Sequence, residues 1–191
     1  MTSRRPGRTF VFLGISGSGK GTQAKFLERR IRGRILSTGV AFRAVARTRT
    51  FLGRYVADVM RRGGLMPYWG PVYFWLHDSF AHLRREEHII FEGSPRRIEE
   101  APILDQFMRD LGRPLPIAIY IKLSPREARR RLLERRRSDD TLRAITNRFA
   151  FFREHVTGVI RYYQRRDRLI TVNGDQSPEA VWRDIRNALR V

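Results

Sequence analysis

Cysteine is absent from the 191 residues. That excludes a disulfide framework and any cysteine-built zinc site, so no zinc is expected. Long apolar runs are also missing: no stretch approaches the ~18 consecutive apolar residues of a membrane-spanning helix. The opening "MTSRRPGRTF" has no apolar core of the secretory-signal kind, and a cytoplasmic protein is expected. Lysine is scarce. Lys20, Lys25 and Lys122 are the whole supply, so arginine carries nearly all of the +20 net charge. Two classes of partner fit that charge: nucleic acid on a basic surface, or polyphosphates in a pocket, with arginine replacing lysine elsewhere. The basic residues are spread along the chain and cluster only in "ARRRLLERRR". Composition alone does not specify a nucleic-acid site, so the pocket reading is preferred and the other kept as the alternative.

Hydrophobic residues make up 41%, and a chain of this length can bury about 70% of its unfolded surface in one domain. Five apolar runs read as strands: "TFVFL" (9–13), "RIL" (34–36), "HIIFEG" (88–93), "IAIYIKL" (117–123) and "RLITVN" (168–173). Most are continuous rather than alternating, as in a parallel sheet covered on both faces. Helical patterns fill 20–32, 40–63 (two helices broken near Thr48–Phe51), 70–86, 98–111 and 125–136. Another long helix runs to about Arg166, capped by Asp139 or Asp140, and a last one is opened by "SPE" at 177–179. Strands alternating with helices indicate an α/β three-layer fold with a five-stranded parallel sheet. A single domain over 1–191 is expected.

"FVFLGISGSGKGTQ" (10–23) is a buried strand, a glycine-rich turn and a lysine before a helix. Glycines let successive N–H groups converge on an anion, the helix N-terminus adds partial positive charge, and Lys20 adds a full one. This is the build of a phosphate-binding loop. It departs from G-x-x-x-x-G-K-[ST] at one place, since Gly21 precedes Thr22.

"GISGSGKGTQ" resembles the loop G-x-x-G-x-G-K-G-T-Q of the adenylate kinases and their nucleoside monophosphate kinase relatives. The resemblance implies a P-loop NTPase fold with a small helical insertion (about 37–67) for the acceptor monophosphate and a short lid (about 131–141). It implies ATP bound by Gly17, Ser18, Gly19, Lys20, Gly21 and Thr22, and magnesium held mainly by phosphates and waters. "LSTGVAFR" (36–43), "GGLMPYW" (63–69) and "IIFEGSPRR" (89–97) resemble the acceptor motifs L-S-T-G-D-x-x-R, G-x-L-V-P-D and I-L-D-G-F-P-R-T. They imply an acceptor site of Thr38, Gly39, Arg43, Leu65, Met66, Gly93 and Arg96, with Glu92 reaching magnesium through water. Guanidinium forks suit phosphate oxygens bidentately.

The departures cluster on the acceptor side: Val40 and Tyr68 for Asp, Ser94 for Phe, Arg97 for Thr. Glu100 stands where relatives use a Gln to read adenine. An ionised carboxylate only accepts hydrogen bonds. It would suit the N1–H and N2–H of guanine, while Thr38 argues for adenine; the alternative turns Glu100 to solvent. AMP is therefore expected as acceptor, with GMP or another (deoxy)nucleoside monophosphate as the alternative.

Residues 127–149 resemble the family's arginine-rich lid, implying Arg131, Arg135, Arg137 and Arg148 around the polyphosphate and the transferring phosphoryl group: Arg131 and Arg135 on ATP, and Arg131, Arg137 and Arg148 with Lys20 and Arg96 as the catalytic set. Arg129, Arg130 and Arg136 read as solvated surface. "VNGDQSPEAV" (172–181) resembles the segment beside the ATP adenine and adds Gln176. The four histidines show no metal-ligand spacing, and Tyr73, Phe74 and Trp75 read as core. The resemblance implies a monomer, and no exposed apolar helix is evident, so a monomer is expected.

Overall fold

The structure, a computed structural model, describes residues 5–135, 137 and 140–191. Strands β1 (Thr9–Leu13), β2 (Arg34–Ser37), β3 (Ile89–Glu92), β4 (Ile117–Lys122) and β5 (Leu169–Asn173) form one parallel sheet in the order β2-β3-β1-β4-β5. β1 is central. It pairs Val11 with Phe91 on one side and with Ala118 on the other. Every residue of β1 is buried, and its side chains alternate between two cores. Val11 and Leu13 face helices α4 (Trp69–His82), α5 (Glu100–Asp110) and α8 (Thr157–Gln164), through Trp75, Met108 and Tyr163 among others. Phe10 and Phe12 face α1 (Lys20–Ile31) and α9 (Pro178–Leu189), through Leu27 and Ile185. Burial on both faces is why these strands are apolar throughout instead of alternating.

The chain leaves β1 toward β2 and leaves β3 toward β4, on opposite sides of the adjacent β1–β3 pair. Ligands bind outside the carboxyl ends of parallel strands at such a reversal. Between β2 and β3 lies the small helical insertion, α2 (Thr38–Val45) and α3 (Phe51–Arg61), with its own core of Phe42, Val56 and Met66. The end of α3 meets α7 (Leu142–Phe151): Asn147 Nδ2 donates to Arg62 O at 2.7 Å, and a Cβ on Gly63 would lie 2.4 Å from Ala144 O. Helix α6 (Pro125–Arg135) follows β4.

Several expectations change. The long helix after the lid is capped by Thr141, whose side chain accepts from Ala144 N, and not by Asp140. Asp140 is drawn inward by two arginines instead; Asp139, like Arg136, lies outside the described residues. That helix is also interrupted by a π-helical turn, Phe152–Val156, before α8. Helix α4 stops at His82, short of residue 86. Exposed apolar faces do exist: Phe51 on α3 and Phe80 on α4 are 81% and 84% accessible, and Tyr73 is exposed while Trp75 is core. Among the described residues, no helix is long and apolar enough to cross a membrane.

Candidate active site

A cavity of about 1450 Å³ opens at the carboxyl ends of β1 and β3. On one side lies the glycine loop. Gly19, with φ 90°, closes the turn as the N-cap of α1, and nothing lies within 4 Å of where its Cβ would be. The glycine is required by backbone angle, and the open space above it faces the N–H groups at the start of α1. Gly21 is similarly uncrowded. Lys20 Nζ donates to Gly14 O (2.8 Å) and Ile15 O (2.9 Å). Burial brings its pKa down to about 8, against the pull of Glu92 and helped by Arg96 and Arg135. Lys20 therefore feels an acid on β3 and arginines from two other segments.

Glu92 ends β3. Burial would raise its pKa, but Lys20, the Ser37 hydroxyl, Arg96 and Arg43 outweigh it and hold the carboxyl below the ordinary range. Ser37 Oγ donates to Glu92 Oε2 at 2.6 Å while also accepting from Val40 N at 3.4 Å as the cap of α2. Sequence reasoning missed Ser37. The available signal was a serine at a strand end, three residues ahead of the helix N–H it caps.

The corner around Gly93 is compact. A Cβ on Gly93 (φ 91°) would lie 2.7 Å from Thr38 Oγ1 and 3.2 Å from an Arg96 nitrogen. One on Gly39 would lie 3.5 Å from an Arg43 nitrogen. Two forks and a hydroxyl therefore converge where glycines leave room. Leu65 and Met66 line the same cavity. Glu100 also borders it but is 1% exposed, so it does not point to solvent. Its oxygens accept from Ser94 Oγ (2.6 Å) and Arg97 N (3.1 Å).

Between α6 and α7, Asp140 has its side chain 1% exposed and gathers two arginines. Arg135 donates through Nε and an NH group at 2.9 Å each, and Arg148 donates at 2.6 Å. Arg131 Nε donates to Glu127 at 2.7 Å. Glu127 also takes Arg130, and the two arginines hold its pKa below the carboxylate range. Gln176 donates to Asn173 O and to Asp184. Lys20, Glu92, Arg96, Arg131, Arg135, Arg137, Arg148 and Gln176 all line the cavity, as do Gly17, Thr22, Thr38, Gly39, Arg43 and Gly93. Ser18 does not: it is 2% exposed, and its Oγ lies 2.5 Å from where a Cβ on Gly14 would be.

The family model described as "Adenylate kinase" matches residues 12–168. An adenylate kinase of Thermus thermophilus is 34% identical over 192 residues, covering 97% of this chain and 98% of the relative. Adenylate kinase 2 of Nostoc sp. is 34% identical over 184 residues, covering 95% and 98%. An adenylate kinase of Azobacteroides pseudotrichonymphae is 31% identical over 177 residues, covering 91% and 92%. The match spans the glycine loop, the corner around Gly93 and the arginines at 131–148 together. This chain belongs to the adenylate kinase family, phosphotransferases that move a phosphoryl group from ATP to a nucleoside monophosphate.

Proposed function

We propose that this chain catalyses ATP + AMP ⇌ 2 ADP by direct in-line transfer, with the site residues named above in their family roles. The observation that carries the reading is the convergence of Lys20, Glu92, Arg43, Arg96 and Arg135 on one cavity at the β1–β3 reversal. Phosphoryl transfer needs positioning and charge neutralisation more than covalent chemistry. Lys20 would hold the β- and γ-phosphates of ATP on the N-terminus of α1. Arg43 and Arg96 would clamp the acceptor phosphate as bidentate forks. Arg131, Arg137 and Arg148 would surround the moving group as residues 131–141 close over ATP and residues 37–67 over the acceptor, excluding water.

Magnesium fits this set. Among the described residues no three His, Asp or Glu side chains gather to cage a metal. The ion usually keeps several waters and binds substrate phosphates. Glu92, held ionised at the cavity edge, would accept from one of those waters. Bound there, the ion would neutralise phosphate charge. The cellular setting consistent with this reading is a cytoplasmic monomer.

The test is ADP formation in a coupled assay with AMP, GMP, CMP, UMP and dAMP as acceptors. AMP should give the highest kcat/KM. Folded protein with no acceptor-dependent turnover would reject the reading.

A further inference from the structure

The loop joining β3 to α5, residues 93–99, is tied at both ends by one buried side chain. Glu100 begins α5, and its carboxylate accepts from Ser94 Oγ at 2.6 Å and from Arg97 N at 3.1 Å. The backbone N–H of Arg96 also supports it. In return Glu100 N donates to Arg97 O at 3.1 Å. Ser94 and Glu100 are 2% and 1% exposed. Burial pushes the Glu100 carboxyl above the ordinary range, and the Ser94 hydroxyl and the two backbone donors pull against it. The residue enclosed by this tie is Arg96, whose guanidinium packs over Gly93 beside Thr38.

We propose that Glu100, clamped by Ser94, is a positioning residue that holds Arg96 for the acceptor phosphate and does not read the acceptor base. Each oxygen of the carboxylate already accepts from its own loop. Turning toward a base edge would strand a buried serine hydroxyl and a backbone N–H, which is costly. The pair also explains itself as a pair: a serine at 94 is the donor that a buried carboxylate at 100 requires. The consequence for the reaction is a specific pattern. A base-reading residue affects purine and pyrimidine acceptors differently. A residue that holds the phosphate arginine affects all monophosphates alike.

This rests on the assignment of Arg96 to the acceptor phosphate. Glu100→Ala, Glu100→Gln and Ser94→Ala are compared with wild type by calorimetric binding of AMP, GMP and CMP, and by kcat and KM for each acceptor that turns over. Thermal melts first confirm that each variant is folded. Glu100→Ala should lower kcat/KM by one to two powers of ten, on the order of the 10²-fold that a ~1 Å misplacement costs, for every acceptor by the same factor. Ser94→Ala should show the same pattern in smaller size. Glu100→Gln keeps a carbonyl oxygen for the Arg97 N–H and should recover most of the loss for all acceptors together. If Glu100→Ala does not fold, the other two variants carry the comparison. Losses that differ about tenfold or more between AMP and GMP would overturn the proposal and return Glu100 to base reading. Binding of all three monophosphates to wild type without turnover would reject the kinase reading alone, and the binding pattern would still decide this one. No binding of any monophosphate would overturn both.

Discussion

Asp140→Asn isolates what the lid acid does. The substitution keeps the shape of the side chain and removes its charge. Asp140 accepts three hydrogen bonds from Arg135 and Arg148 at 2.6–2.9 Å with its side chain 1% exposed. An Asn at this position offers one oxygen and turns an NH2 group toward a guanidinium, donor against donor. A buried hydrogen bond to a charged group contributes about 1.5–3 kcal/mol net. Arg135 is 34% exposed, so solvent screening puts its share at the low end, while Arg148 at 13% keeps more. Loosening Arg135 and Arg148, proposed for the polyphosphate and the transferring group, should cost on the order of 10²-fold in kcat, as for other preorganised electrostatic groups. ATP affinity should move differently, because losing a negative charge beside a polyphosphate cavity does not weaken anion binding. The expected result in steady-state kinetics is a kcat loss near 10²-fold with KM for ATP unchanged or up to about threefold lower. A kcat within about twofold of wild type, or a large rise in KM for ATP, would refute the view of Asp140 as the organiser of these arginines.

Two further outcomes are expected. Lys20 titrates near pKa 8 in the unliganded protein, with burial as the main cause. Polyphosphate favours the charged form, so above that pH binding must take up a proton and ATP affinity must fall, by at most about tenfold per pH unit. Calorimetry in buffers of different ionisation heat should show proton uptake at about pH 9 and almost none at about pH 7, and equal uptake at both would count against the assignment. Asp105→Ala tests the structural ion pair instead. Asp105 is fully buried and accepts from Tyr162 Oη at 2.7 Å and from both terminal nitrogens of Arg168. Leaving Arg168 without it should cost roughly 3–5 kcal/mol, which for a chain of this size is a melting point lower by about 10 °C. A shift of only a degree or two would show that Arg168 finds water.

Legibility followed the kind of constraint. The strand of residues 9–13 and the loop after it were readable because two-sided burial forces an apolar run and an anion nest forces glycines at fixed offsets. Ser177 and Pro178 announced α9 because capping is local chemistry, and Ser177 does accept from Ala180 N. Asp140 looked like a cap by the same local rule, but two arginines from flanking helices outbid the helix N–H groups. Thr141 was left to cap. Glu100 was weighed as a base reader or a solvated residue, and its partner Ser94 noted only as a departure. Their hydrogen bond depends on how the loop folds back, which spacing does not encode.

By itself the sequence determined the layered α/β class and the phosphate loop, since each rests on local pattern or short-range geometry, while the arginines proposed for the polyphosphate came from its resemblance to the family. Only the tertiary structure decided how those charges are partnered. Ser37 steadies Glu92, Asp140 gathers Arg135 and Arg148, and Ser94 occupies Glu100. Which acid a buried arginine or hydroxyl meets is set by the packing that excludes water, and packing joins residues distant in the chain.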